Sequence, residues 1–303
     1  RVGLKPNEDE YILMGMAAYG EPIYDMSELL HRNNHKGIGD YLPNAKNEDL
    51  AASAQATFEK ELLKIIDKYC KHPNLVYMGG CALNCAANSK IKGKNIWIMP
   101  NPGDAGSSLG AAAALYGKHL DWETPYLGYD LGGKYPVQEI VDTILKSGVA
   151  AVATGKAEYG PRALGNRSIL ADPRDPNIKD KVNMIKKREL FRPFAPVVME
   201  EHASKWFKMD FASPYMQYTV ECLQPNKIPS VVHEDGTSRV QTVNKDQHRG
   251  LWMTLNKFYL QTGVPVLLNT SLNIKGQPLL NDEEDVLLWE QTYNQKILRG
   301  KNE

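Results

Sequence analysis

Cationic side chains are concentrated at two breaks in the sequence, the segments EYGPRALGNRSIL and KKRELFRPF. Six of them stand there: Arg162, Arg167, Lys186, Lys187, Arg188 and Arg192. Arginine binds phosphate oxygens through two parallel N–H groups, and lysine adds a mobile point charge. Because Arg192 has two phenylalanines and a proline as neighbours, its charge needs a partner or a ligand. These segments predict a site for a small polyanion, with a solvated helix face as the alternative interpretation.

Polar residues that could complete such a site occur further along the chain. The segment VPVLLNTSLNIKGQP ends a predicted strand in Asn269, Ser271 and Asn273, at the edge where α/β sheets commonly bind ligands. Their amides and hydroxyl both donate and accept, which suits a carboxamide or a nucleotide base, although turn chemistry would also explain them. A loop in HEDGTSRVQTV adds three further candidates: His233, Asp235 and Arg239.

Two glycine turns lie in the first half of the chain, GGCALN and PGDAGSSLGAA. Each precedes a predicted helix, so its backbone N–H groups could approach a phosphate. Asp104 in the second turn suits metal binding or the orientation of an attacking hydroxyl, and helix capping is the alternative. His31 and His35 have H-x-x-x-H spacing, but the asparagines and glycine of HRNNHKG favour a loop.

The overall composition limits the classes of partner. The 303 residues carry 36 basic and 36 acidic side chains, so the formal net charge is zero. General nucleic-acid or anionic-membrane binding needs a basic excess, and no apolar run approaches the roughly 20 residues of a membrane span. Four cysteines at weak spacing indicate a reducing, cytoplasmic compartment without a disulfide framework or zinc. The composition therefore favours small-molecule partners.

Alternating strand and helix patterns must position these residues. Apolar residues recur every three or four positions over 48–72, which predicts a long amphipathic helix. Two strand–glycine–helix units follow it: a strand at 75–80 with a helix at 81–91, and a strand at 95–100 with a helix at 107–117. A glycine-rich stretch at 127–136 marks a predicted domain boundary. The segments predicted beyond it are a helix from 137, a strand at 149–155, a helix at 177–189, strands at 194–200 and 264–269, and helices at 246–262 and 282–292. This order indicates an α/β fold.

Seven segments of the chain, in order, resemble the motifs of the O-carbamoyltransferases of the nodulation and antibiotic-tailoring type. They are KPNEDEYILMGMAAYGEP, GGCALNCAANSKI, PGDAGSSLGAA, EYGPRALGNRSILADPR, KKRELFRPFAPVV, HEDGTSRVQTV and VPVLLNTSLNIKGQP. The likeness runs from about residue 3 to about residue 285. One such motif would be modest evidence for the resemblance, but seven motifs in the family's order are highly specific evidence.

This resemblance implies two domains with separate chemistry. Residues 1–130 would be the second half of an actin-like (ASKHA) carbamoyl-transfer domain. Residues 131–303 would be a YrdC-like α/β domain with a twisted open sheet. In the family, carbamoyl phosphate and ATP form a carbamoyl adenylate in the YrdC-like domain, and the transfer domain passes the carbamoyl group to an acceptor hydroxyl.

The family motifs also imply roles for individual residues. Arg162, Lys186, Arg188 and Arg192 would be catalytic residues of the adenylation pocket, which Arg167 and Ser168 would also line. Asn269, Ser271 and Asn273 would hold the carbamoyl or nucleotide end. Asn84 and Asn88 would lie beside the nucleotide of the transfer domain, and Asp104 would ligate an iron-type metal that polarises the carbamoyl carbonyl. Mg²⁺ is expected to accompany ATP in the adenylation step.

The chain departs from the family pattern at its start. Family members carry the first half of the actin-like domain, with an H-x-x-x-H metal pair, upstream of the KPNE-type motif. Here only two residues precede Gly3, and His31 and His35 lie downstream of that motif. We therefore expect one of three situations: a removed amino-terminal part, a separate partner chain, or a protein that performs only the first half-reaction. In each, the metal site in this chain is expected to be incomplete. Two other functions stay open: a threonylcarbamoyl-adenylate-type synthase, and a non-catalytic nucleotide- or RNA-binding module.

Overall fold

A computed structural model describes residues 2–6, 8–31 and 39–300, and His35 lies outside these ranges. The helices are α1 (Glu10–Met16), α2 (Asn47–Tyr69), α3 (Cys85–Asn88), α4 (Ser107–Tyr116), α5 (Val137–Ser147), α6 (Ile178–Ile185), α7 (Ala203–Trp206), α8 (Arg249–Thr262) and α9 (Glu283–Tyr293). The strands are β1 (Asn74–Val76), β2 (Asn95–Trp97), β3 (Tyr126–Asp130), β4 (Val149–Ala153), β5 (Lys156–Glu158), β6 (Arg167–Ala171), β7 (Ala195–Met199), β8 (Thr219–Glu221), β9 (Thr237–Arg239), β10 (Gln241–Val243), β11 (Val266–Ser271) and β12 (Ile297–Arg299).

A six-stranded mixed sheet forms the centre of the second half, in the order β10-β7-β11-β6-β4-β12. The two outer pairs are parallel, and the three inner pairs are antiparallel. All five residues of both β6 and β7 are buried, as expected for inner strands covered on both faces. One buried apolar cluster surrounds this sheet, and it draws its members from residues 140–297.

The helices around the sheet begin and end where their sequences dictate. In α5, Ile140, Val141 and Ile144 lie on one face and are buried, which fixes that face toward the sheet. His248 caps α8 by accepting the Leu251 N–H, and Asp282 caps α9 by accepting two N–H groups. These caps supply partners for donors that the first helical turn leaves unpaired.

The first half is less completely buried. The long helix α2 covers a small cluster formed by Met26, Leu29 and Leu50. The parallel pair β1–β2 forms a separate two-stranded sheet. None of the ten residues of α4 is buried, although its sequence SSLGAAAALY is predominantly apolar.

The predicted elements differ from the observed ones mainly in length. The helix predicted over 81–91 is broken into a 3-10 turn and the four-residue α3, because Asn84 interrupts it and caps α3 with its side chain. The predicted boundary at 127–136 contains β3, which pairs with β5 of the second half. The division at residue 130 stays a prediction. No helix within the described ranges is both long and apolar enough to cross a bilayer.

Candidate functional site

One cavity of about 730 Å³ lies between the two halves of the chain. Its first wall comes from the loop before β6, the segment after α6, β9, and the end of β11 with the loop that follows. This wall carries the cations Arg162, Lys186, Arg188, Arg192, Arg239 and Lys275. Its second wall comes from α1, α2 and α3, with Tyr11, Gln55 and Glu59 among its residues. The sequence predicted a pocket built by the second half alone, and this second wall is an addition to that prediction.

Lys186 and Arg188 follow α6 and point to the cavity from alternate positions. The residue between them, Lys187, has a φ of 50° and is exposed, with its ammonium 5.1 Å from the Tyr293 ring. Lys186 Nζ donates to Ser271 Oγ (3.1 Å) and Asn273 Oδ1 (2.8 Å). Burial, together with the charges of the nearby Arg188 and Arg192, holds the pKa of Lys186 well below its usual value.

The guanidinium of Arg188 lies 4.4 Å from the Phe194 ring and donates through Nε to Asn183 Oδ1 (2.6 Å). Its Nη2 is buried and has no hydrogen-bond partner among the residues that the structure describes. Burial, reinforced by repulsion from Arg192 and Arg239, lowers the pKa of Arg188 to about 9. A buried donor without a partner costs about 1–3 kcal/mol, so an oxygen-rich ligand would relieve both the repulsion and the missing bond.

Arg162 and Arg239 approach the cavity from different loops. Burial and the charge of Arg239 lower the pKa of Arg162 to about 9, and its Nη2 makes one long contact of 3.4 Å to the Leu83 carbonyl. Nε of Arg239 is buried, and none of the described residues accepts a hydrogen bond from it. Within residues 2–6, 8–31 and 39–300, neither arginine forms an ion pair with a carboxylate.

Arg192 is held differently, because it has a carboxylate and an aromatic ring beside it. Its Nη1 lies 3.4 Å from Glu189 Oε2, and its guanidinium lies 4.9 Å from the Tyr11 ring of α1. Its side chain keeps 17% of its surface exposed. The aromatic neighbour comes from the first half of the chain, so the charge is stabilised by a contact across the cavity.

His233 and Asp235 also line the cavity and interact with each other. Burial raises the pKa of Asp235, but hydrogen bonds from His233 and Thr237 outweigh it and bring the pKa to about 2. Asp235 therefore stays a carboxylate, held by His233 Nδ1 at 3.6 Å. Nε2 of His233 is buried and has no hydrogen-bond partner in the described part of the chain, so a ligand in the cavity could bind it.

The three predicted polar residues of β11 and its loop line the cavity as well. Ser271 and Asn273 hold Lys186, as described above. Asn269 donates its amide N–H groups to the Ala163 carbonyl (3.0 Å) and to Gln241 Oε1 (2.7 Å), and its Oδ1 is buried without a partner. The amide of Asn269 thus supports the Arg162 loop at the cavity floor.

Arg167 and Ser168 do not line the cavity, which corrects the sequence prediction. Arg167 is fully buried, and its guanidinium donates to five main-chain carbonyls, including those of Thr154 (2.8 Å) and Asn281 (2.9 Å). Ser168 is buried within β6. Two arginines five residues apart flank the same turn, but the strand that begins at Arg167 directs its side chain into the protein.

Asn84 and Asn88 are likewise occupied by contacts within the protein. Asn84 caps α3 and exchanges hydrogen bonds with Gln55, and Asn88 donates to the carbonyls of Ala82 and Gln217. Neither is among the residues that line the cavity. Their predicted place beside a nucleotide stays a prediction.

Asp104 lies in a second cavity of about 780 Å³, bordered by the glycine turn, α4 and the segment before β3. Its surroundings are mainly apolar and aromatic, including Trp97 and Trp122. The part of the chain that the structure describes contains no group of three or more His, Cys, Asp or Glu side chains able to hold a metal ion. These residues therefore do not fit a complete iron-type site.

Sequence reasoning missed the contribution of the first half to the cavity. The one feature of the sequence that could have indicated Tyr11 is its position, as an aromatic residue, inside the KPNEDEYILMGMAAYGEP segment. Glu59 is buried in α2, where it accepts from Gln55 (2.8 Å) and pairs with Lys90. Helical periodicity alone does not separate such a residue from a solvated one, because the covering elements are distant in sequence.

The fold and this cavity define a class: an α/β protein with a mixed sheet and a cation-lined cavity. Residues 141–299 match the family model described as carbamoyltransferase C-terminus, and residues 33–113 match the one described as carbamoyltransferase N-terminus. The chain belongs to the carbamoyltransferase family.

Several nodulation proteins are similar to this chain. NolNO of Sinorhizobium fredii is 33% identical over 92% of this chain and 50% of its own length. NolO of Bradyrhizobium diazoefficiens is 30% identical over 92% of this chain and 62% of its own length. Nodulation protein U of Sinorhizobium fredii is 35% identical over 76% of this chain and 46% of its own length. The chain thus spans about half to three fifths of these relatives.

Among solved structures, the HypF of T. kodakarensis overlaps 52% of this chain and 20% of its own, at 19% identity and a TM-score of 0.35. A full-length HypF in a phosphate- and nucleotide-bound form overlaps 55% of this chain and 20% of its own, at 13% identity and the same score.

Proposed function

We propose that this chain carries the adenylate-forming site of an O-carbamoyltransferase. It would use carbamoyl phosphate and ATP to make a carbamoyl adenylate, from which the carbamoyl group passes to an acceptor hydroxyl. Membership of the carbamoyltransferase family supports this assignment. The observation that carries it is the convergence of Arg162, Lys186, Arg188 and Arg239 on one cavity without carboxylate partners among the described residues.

The cavity chemistry suits both substrates because both are polyanions. Formation of the adenylate requires the carbamoyl–phosphate bond to break with uptake of water, which releases phosphate. An oxygen of the resulting carbamate then attacks the α-phosphorus of ATP, and the bond to pyrophosphate breaks. Negative charge builds on the leaving groups in both steps, and fixed guanidinium groups in a site screened from water stabilise it.

The cations have separable roles in this proposal. Arg188 and Arg239, with unpartnered N–H groups, bind phosphoryl oxygens directly. Lys186, held by Ser271 and Asn273, adds a third charge, and an entering anion would raise the pKa of Lys186 because it offsets the charges of Arg188 and Arg192. Nε2 of His233 provides a further contact to the ligand. Mg²⁺ would enter bound to the ATP phosphates.

We further propose that residues 1–130 are part of an actin-like transfer domain and residues 131–303 a YrdC-like domain. Exposed apolar residues support the first assignment: Val76, Trp97 and Leu115 are 67%, 44% and 92% exposed around β1, β2 and α4. Parallel sheets are ordinarily covered on both faces, so a surface of this kind needs further polypeptide to cover it. Asp104 lies at this surface, where additional ligands would have to complete a metal site.

The adenylation role is tested by incubating the purified chain with ATP, Mg²⁺ and carbamoyl phosphate and measuring pyrophosphate. We expect pyrophosphate release that depends on carbamoyl phosphate. Folded protein that releases none under these conditions contradicts the proposal. Replacing carbamoyl phosphate with bicarbonate and threonine is the control, because release with that mixture indicates a threonylcarbamoyl-adenylate synthase instead.

A further inference from the structure

The loop at 159–166 carries Arg162 to the cavity, and side chains from other parts of the chain hold its backbone from Ala163 to Asn166. Two glycines permit its path. Gly160 has a φ of 144°, and Gly165 has a φ of 129° with His248 and Leu251 packed where a Cβ would lie. These positions allow the chain to turn sharply between β5 and β6.

One carboxylate accepts the N–H groups of this loop. Oε1 of Glu158, at the end of β5, accepts from the N–H groups of Leu164 (2.8 Å), Asn166 (2.9 Å) and Arg167 (3.2 Å). Glu158 is only 8% exposed, and no lysine or arginine side chain in the described part of the chain pairs with it. Three converging N–H groups are a strong partner for a buried carboxylate.

The carbonyl groups of the same loop are held from the other side. The Leu164 carbonyl accepts from the hydroxyl of Tyr126 and from Gln241 (both 3.1 Å), and the Gly165 carbonyl accepts from Tyr135 (3.0 Å). The Asn166 carbonyl accepts from Arg167 Nη1 (3.1 Å). The loop therefore has defined partners for both its donors and its acceptors.

We infer that Glu158 is the positioning residue for Arg162: by gathering the three N–H groups, it fixes the loop that presents this guanidinium to the ligand. The residue acts through Arg162 and does not itself line the cavity. This inference rests on the proposed function, because the ligand that Arg162 meets is taken to be ATP or carbamoyl phosphate. Preorganisation of this kind lets a charged group bind without rearranging when the ligand arrives.

The pKa of Glu158 depends on both its burial and the loop. Burial raises this pKa, while the backbone N–H groups of the loop oppose the rise by stabilising the charged form. If the loop detached, the carboxylate would lose the groups that stabilise it. Loop order and the charge on Glu158 are therefore coupled.

The test has a ligand-free part and a binding part. In the ligand-free protein, Glu158→Ala should speed amide hydrogen exchange at Leu164, Asn166 and Arg167 at least tenfold, with Val197 and Val198 of β7 unchanged. Glu158→Gln keeps an acceptor oxygen in place, so it should restore part of the protection. Unchanged exchange at the three loop amides in Glu158→Ala overturns the inference.

The binding part is a double-mutant cycle with ATP and carbamoyl phosphate as separate titrants. Glu158→Ala and Arg162→Ala should each raise Kd about tenfold or more, and the double variant should bind no more than about twofold more weakly than Arg162→Ala. Additive losses, a further tenfold in the double variant, would mean that Glu158 does not act through Arg162.

The matched control is Asp172→Asn, which removes a second buried carboxylate just beyond β6, where it pairs with Arg174. We expect it to leave both Kd values within about twofold of wild type, and a loss equal to that of Glu158→Ala would make the effect a general one and contradict the inference. Wild-type protein that binds neither titrant contradicts the proposed function instead, and the exchange rates alone then decide the role of Glu158.

Discussion

The two glycine-containing turns around Arg162 and Asp104 differ in how far they are buried and held by contacts with the rest of the chain. The Arg162 loop is buried from Ala163 to Asn166, and side chains from β3, β5, β10 and the turn before α5 pair with backbone groups of that part. The Asp104 turn leads into α4, which has no buried residue, and it borders a mainly apolar cavity. The Arg162 loop is held by contacts within this chain and can therefore position its guanidinium, whereas the Asp104 turn depends on further polypeptide to cover it.

Arg192→Ala tests the cation cluster to which the Arg162 loop contributes, and it has the largest expected effect. We expect pyrophosphate formation to fall roughly 100-fold or more, as for the loss of a charge-stabilising donor. The melting temperature should stay within a few degrees, because Arg192 lies in a turn. Arg249→Ala, which removes an exposed arginine at the start of α8, is the control for charge alone. A large loss of folding in Arg192→Ala would mean that this arginine is structural.

His248 provides a pH-dependent test of the supported loop. Burial lowers the pKa of His248 to about 4, whereas an unfolded chain has a value of about 6.5. Between these values the unfolded chain binds the extra proton, so the free energy of unfolding should fall with decreasing pH, by up to about 1.4 kcal/mol per pH unit. Urea unfolding at pH 6.5 and pH 5 should show this loss, and it should be reduced in His248→Asn. An equal slope in both proteins would exclude His248 as its source.

Tyr11 tests the contact that joins the two halves at the cavity. Removal of a cation–π partner costs about 0.5–1 kcal/mol at an exposed site, so Tyr11→Ala should weaken ATP binding about two- to fivefold. Tyr11→Phe keeps the ring over Arg192 and should bind ATP as wild type does. Calorimetric titration separates these outcomes. Equal losses in the two variants would assign the effect to the Tyr11 hydroxyl.

Leu115→Gln has the smallest expected effect and tests the exposed helix α4, which follows the Asp104 turn. Leu115 is 92% exposed in α4, so the free energy of unfolding of this chain should change by less than about 0.5 kcal/mol. By contrast, truncation of the fully buried Leu170 to alanine should cost about 2–5 kcal/mol. A cost for Leu115→Gln approaching that of Leu170→Ala would show that α4 is already packed in this chain.

The sequence predicted long periodic elements and the main cation cluster, but not their surroundings. Helix α2 and strand β7 have strong patterns over their full lengths, whereas β8, β9, β10 and β12 have three residues each and carry no such pattern. These short strands depend on partners that are distant in the chain. Their pairing is a tertiary effect that local propensity does not encode.

The same limit explains the error at Arg167. Arg162 and Arg167 have the same side chain in the same motif, yet one faces the cavity and the other satisfies five carbonyls. Residue type and spacing identify a candidate anion site, because several arginines near turns are unusual. They do not tell which guanidinium binds a ligand and which binds the backbone.

The left-handed conformation of Lys187 has a consequence for how this segment can vary. With this backbone turn at Lys187, the side chains of Lys186 and Arg188 both line the cavity, while the side chain of Lys187 is exposed to water. Deleting or inserting one residue here would turn a ligand-binding cation outward without altering the total charge by more than one. Position 187 should therefore favour residues that adopt this conformation readily, such as glycine and asparagine, and tolerate no change in the spacing around it.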